Sequence, residues 1–84
     1  LLFINEMNQI NLKKIKIDET LKIILKVENI INCEYGITET WDSLKHMELM
    51  SRLERELEIE LTEEQMVGMV STSKIYEILL KDED

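Results

Sequence analysis

Eighty-four residues make one small domain, with limited capacity for a large core and little room for a deep catalytic cleft. The absence of proline, only two glycines (Gly36 and Gly68) and a hydrophobic content of 44% favour helices over an all-β fold, which needs more turn residues. A formal net charge of −8 argues against binding nucleic-acid phosphates or anionic lipid and favours partners with basic patches, although acidity is equally a route to solubility. The charge is uneven: residues 1–17 sum to +2 through Lys13, Lys14 and Lys16 against Glu6, so residues 18–84 carry −10.

In chain order, residues 1–16 read as an N-terminal extension or the start of the first helix. Phe3, Met7 and Ile10 have helical spacing, but Lys14 occupies the next apolar position, and the Asn-rich run from Asn5 to Asn11 forms helix weakly. Lys13-Lys14-Ile15-Lys16 reads as a solvated face, with contact to an acidic partner as the other option. From Ile17 the pattern firms. Ile17, Leu21, Ile24 and Leu25 share one face while Lys22 and Lys26 point outward, predicting a helix that ends near Val27 or Asn29. Asn29 to Thr40 reads as a long loop pinned to the core by Ile30, Ile31, Tyr35, Ile37 and Trp41.

A second helix is predicted from Ser43 to Leu57 or Glu58. Ser43 is a favoured residue at a helix start, and Asp42 adds negative charge at the positive end of the dipole, so a plain cap is the simplest role for this serine. Leu49, Leu53 and Leu57, with Met50 beside them, mark a buried seam. Leu44 and Met47 lie well round from it; periodicity alone slightly favours extra core there over an exposed docking patch. Thr62-Glu63-Glu64-Gln65 is a capping-box pattern for a short third helix over Glu63 to Val67, stopping at Gly68. Ser71, Thr72 and Ser73 offer a cap for a last helix with Ile75, Ile78 and Leu79 inward, and residues 82–84 form an acidic tail. The expected fold is therefore all-α, a small four-helix bundle with three main helices, a short third one and a long loop between helices one and two.

Catalytic and metal chemistry find little support. Ser43 and His46 stand i, i+3 on one helix with Asp42 on the serine's side, the wrong order for a triad, and no Gly-x-Ser-x-Gly elbow accompanies them. Cys33 and His46 lack zinc-ligand spacing, and Glu54, Glu56, Glu58 and Glu60 lack the glycine-bearing loop of a calcium site. A lone cysteine forms no internal disulfide, no apolar run approaches the roughly 20 residues of a membrane span, and Leu1-Leu2-Phe3-Ile4 is too short for a signal-peptide core. A cytoplasmic, monomeric, non-enzymatic protein is expected. The opening on Leu1 instead of methionine points to a processed or incomplete start.

The run Asp42-Ser43-Leu44-Lys45-His46-Met47-Glu48-Leu49-Met50 resembles the Asp-Ser-Leu attachment motif of acyl carrier proteins. The resemblance spans roughly Asp18 to Leu80 and includes the order of elements, Leu53-Glu54-Arg55-Glu56-Leu57, and Ile59-Glu60-Leu61. It implies a carrier domain over residues 17–81. Ser43 would bear a covalent 4′-phosphopantetheine arm, taken from coenzyme A by a phosphopantetheinyl transferase, whose terminal thiol holds acyl intermediates as thioesters. Asp42 would aid recognition by the transferase, and Leu44 and Met47 would be exposed contacts beside the post. Glu48, with Glu54 and Glu56 as further candidates, would meet basic patches on acyl-loading and acyl-processing enzymes of fatty-acid, polyketide or related pathways. Leu49, Leu53 and Leu61 would line the core.

Some residues depart from the pattern. Thr40 and Trp41 replace the Gly-containing approach common in fatty-acid carriers. Lys45, His46, Arg52 and Arg55 put positive charge on a helix that is usually more acidic, and the loop before the motif is short for the family. These departures resemble discrete carriers of specialised pathways. Asp42 favours acyl cargo over a peptidyl or aminoacyl carrier; an unmodified helical interaction module is the other reading.

Overall fold

The computed structural model describes residues 2–81, with side chains from residue 9 onward. The acidic tail expected at residues 82–84 and the side-chain spacing of Phe3 and Met7 lie outside the described residues. Four helices follow in order: α1 (Leu2–Leu25), α2 (Ser43–Leu57), α3 (Glu63–Gly68) and α4 (Thr72–Leu79). No strand occurs among the described residues beyond an isolated bridge between Glu34 and Ser71. The chain is an all-α small helical bundle, with α1 packed on α2 and α3 on α4. No described helix is long and apolar enough to cross a membrane.

The core follows from the two amphipathic stripes. Ile17, Leu21, Ile24 and Leu25 of α1 meet Leu49, Met50 and Leu53 of α2, closed by Leu61, Met69, Ile75 and Leu79. Each such side chain contributes about 1.5–3 kcal/mol on leaving water. Leu57 and Ile78 are partly buried at the margin. α1 ends at Leu25, before the expected Val27 or Asn29, because Lys26 turns left-handed (φ 56°) while its N–H still bonds Lys22 O at 2.8 Å. Nothing but a lysine marks that turn in the sequence, where glycine is the usual signal.

The long loop is pinned by two of the five expected residues, Ile30 and Trp41, which are buried and joined by Cys33. Ile31, Tyr35 and Ile37 are exposed. Backbone bonds from Tyr35 N to Val70 O and from Thr72 N to Cys33 O tie the loop to the start of α4, and the Thr72 hydroxyl donates to Ile30 O. α3 opens with the expected capping box between Thr62 and Gln65. Gly68 is its last helical residue, outside the left-handed region, so the stop falls one residue later, at Met69. Ser71 caps α4 by accepting from Lys74 N at 3.1 Å.

Between α1 and α4, the Tyr76 hydroxyl donates to Asp18 at 2.5 Å, and the Lys14 ammonium pairs with Asp18 while lying over the Tyr76 ring. Burial, then the hydrogen bond to Asp18, then that carboxylate's charge, push the phenol's pKa upward. The folded phenol thus keeps its proton where an unfolded one, with an ordinary value of about 10, loses it. The stabilisation is complete below that pH and declines as pH rises above it. In urea titrations, the gap between wild type and Tyr76→Phe narrows above about pH 10; a constant gap contradicts this assignment.

Candidate functional site

The site is built where the loop turns into α2. Trp41, 1% exposed, anchors the segment in the core, and Gly36 N–H donates to its carbonyl at 3.0 Å. Asp42 then takes an extended conformation (φ −114°, ψ −171°), and its Oδ1 accepts the Lys45 N–H at 2.9 Å. Asp42, and not Ser43, is therefore the helix cap. Ser43 is the first helical residue, exposed, and no hydrogen bond among the described residues uses its hydroxyl. The simplest sequence reading of Ser43, a cap, fails because its neighbour's extended backbone aims a carboxylate at the free amide first.

Two stability changes follow and separate the neighbouring side chains. Asp42→Ala loses a capping bond and lowers stability by about 1 kcal/mol, while Ser43→Ala stays within about 0.5 kcal/mol of wild type. Equal losses in urea melts would contradict the assignment of the cap.

Leu44 and Met47 are 75% and 64% exposed. The extra-core expectation for this pair is thus overturned: α1 covers one face of α2, and that face carries Leu49, Met50 and Leu53. Ile37 from the loop and Val67 from α3 are also exposed large apolar residues. Glu48 is exposed and pairs with Lys45 at 3.3 Å, so part of its charge is offset locally. Glu54 is half-buried and works within the chain: its Oε2 accepts Leu61 N–H at 2.9 Å, and its carbonyl accepts from Glu58 and Ile59 at the end of α2. Glu56 pairs with Arg52 at 3.2 Å.

His46 sits one turn beyond Ser43 but faces away from its chemistry. The Trp41 Nε1–H donates to His46 Nδ1 at 3.1 Å, and His46 Nε2 lies 2.8 Å from the Met66 carbonyl on α3. An indole nitrogen only donates and a carbonyl only accepts, so the ring is neutral with its proton on Nε2. Neither nitrogen is left for the serine. Tyr35 meets the same ring edge-on with centroids 5.3 Å apart. Just before Trp41, the buried Thr40 Oγ1 lacks a hydrogen-bond partner among the described residues; such an oxygen costs about 1–3 kcal/mol.

An open groove of about 530 Å³ lies where the loop meets α4, lined by Cys33, Glu34, Ser71 and Tyr76 among others, and Ser43 is not part of it. The serine stands on an open surface. The structure thus brings together Asp42, Ser43, Leu44, Met47 and Glu48 at the start of α2 and places Glu54 apart, in the turn after it. Sequence spacing missed the Trp41–His46–Met66 chain, since its last link spans 20 residues; only the chain's single tryptophan and single histidine, five positions apart, hint at it. Comparison with protein families, curated proteins and solved structures gives no match.

Proposed function

We propose that the chain is a non-catalytic carrier that holds acyl intermediates as thioesters on a 4′-phosphopantetheine arm attached to Ser43. One observation carries the reading: the Ser43 hydroxyl is exposed at the first position of α2, relieved of capping by Asp42 and flanked by exposed Leu44 and Met47. The residues present suit the arm. The Ser43 and Leu44 amides open the helix and have no intrahelical acceptor, so they and the helix dipole favour a phosphate on Ser43. Attachment forms a bond from Ser43 Oγ to the arm's phosphorus and breaks the phosphoanhydride of coenzyme A. Adenosine 3′,5′-bisphosphate departs, and the serine proton passes to a base of the transferase. The arm supplies a thiol for thioester chemistry; the chain's own part is to present it.

Asp42, Leu44, Met47 and Glu48 form the surface offered to the transferase and to acyl-loading and acyl-processing enzymes, apolar with an acidic edge. Glu54 is a weaker contact because its carboxylate is engaged by Leu61. Incubation with coenzyme A and a broad-specificity phosphopantetheinyl transferase tests the reading: one arm's mass is gained, and an unchanged mass refutes it.

A second reading rests on the exposure of Ile37, Leu44, Met47 and Val67, which is independent of any hydroxyl. An unmodified interaction module would bind its partner equally well as wild type and as Ser43→Ala. The carrier reading expects Ser43→Ala to lose function in the cell.

A further inference from the structure

We propose that His46 is a proton-sensitive latch that holds Trp41, and with it the segment leading to Ser43, against α2. The geometry around the ring accepts one protonation state only. Trp41 Nε1–H needs an acceptor at Nδ1, 3.1 Å away, and the Met66 carbonyl needs a donor at Nε2, 2.8 Å away. The two links respond differently to a proton. A second proton goes on Nδ1 and sets two N–H donors against each other, so the indole bond is lost. Nε2–H remains a donor, now charge-assisted, so the contact to α3 is kept. Protonation therefore releases the loop side of the ring and leaves the α3 side in place.

The surroundings permit this. His46 is half-buried, with Trp41 stacked at 6.0 Å between centroids and Tyr35 edge-on at 5.3 Å. The charged residues beside the contacting ones in the chain are Asp42, Lys45 and Glu48 around His46, Glu34 and Glu39 around Tyr35 and Trp41, and Glu63 and Glu64 on α3. None forms an ion pair with His46 among the described residues. The consequence for arm attachment rests on the carrier reading; the latch itself does not.

The test uses the unmodified full chain, so its outcome is separate from whether Ser43 accepts an arm. Trp41 and His46 are the only residues of their types, so the indole Nε1–H and imidazole Cε1–H each give one assignable nuclear magnetic resonance signal. Across a titration from about pH 8 to about pH 5, the range in which histidines change charge, the two signals shift with one midpoint. Measured against the intrinsic pH dependence of indole exchange, protection of the indole N–H falls roughly fivefold across that midpoint, as loss of one hydrogen bond implies. Amides of Met66 to Met69 keep their protection from hydrogen exchange through that midpoint, since the contact to the Met66 carbonyl is retained. His46→Gln keeps a donor and an acceptor without a titrating ring, and its indole signal stays flat. An indole signal indifferent to the imidazole, or α3 amides that lose their protection with it, overturns the latch; both readings come from wild type and stand even if His46→Gln fails to fold.

Discussion

Ser43→Ala leaves the chain unmodified under conditions in which wild type gains a phosphopantetheine arm, and it does so without weakening the fold. The two halves of that result have separate physical origins. Asp42 holds the Lys45 amide and the Ser43 hydroxyl holds nothing among the described residues, so its removal changes urea stability by no more than about 0.5 kcal/mol. A loss of modification therefore reports on chemistry and not on unfolding. Neighbouring hydroxyls do not substitute. Thr38 Oγ1 is tied to Glu34 N–H, Thr40 Oγ1 is buried, Ser51 lies in the interior of α2, and Ser71 caps α4. Mass measurement before and after transferase treatment, with circular dichroism of both proteins, reads the outcome. Modification of Ser43→Ala to the wild-type extent would move the post to another residue.

Trp41→Ala strongly destabilises the chain at 25 °C. Trp41 is 1% exposed, packs in the core and bonds His46, so truncation opens a cavity and orphans the imidazole acceptor. Aromatic-to-alanine changes in cores cost about 3–5 kcal/mol. Native domains hold only about 0.05–0.15 kcal/mol per residue in total, so a loss of this size removes much of the stability of an 84-residue chain. Far-UV circular dichroism against urea checks this, since the substitution removes the only tryptophan fluorophore. Trp41→Phe retains most of the buried area and gives an intermediate midpoint. A wild-type midpoint for Trp41→Ala would mean that the loop is not held by this side chain.

The parts legible in the sequence are those fixed within a few residues. The bounds of α2, the Thr62–Gln65 capping box, the Ser71 cap and the inward stripes Ile17-Leu21-Ile24-Leu25 and Leu49-Leu53 are all set by local spacing and local hydrogen bonds. Asp42 and Ser43 are both favoured caps, and only the extended backbone at Asp42 decides between them. Periodicity places Leu44 and Met47 on a second face but is silent on whether another helix covers it. Burial of Cys33 and exposure of Ile31 and Ile37 depend on where the loop lies on α4, a contact between distant segments. The His46 bridge to Met66 is of the same long-range kind. Because the cap belongs to Asp42 and the patch is exposed, the start of α2 reads more clearly as a presented hydroxyl in three dimensions than in the sequence.

The central claim concerns one oxygen atom, and the most direct measurement is fragmentation mass spectrometry of the wild-type chain after transfer from coenzyme A. The account predicts a single arm, located on Ser43 and on no other hydroxyl. An arm mapped elsewhere, or a chain that takes none, contradicts it.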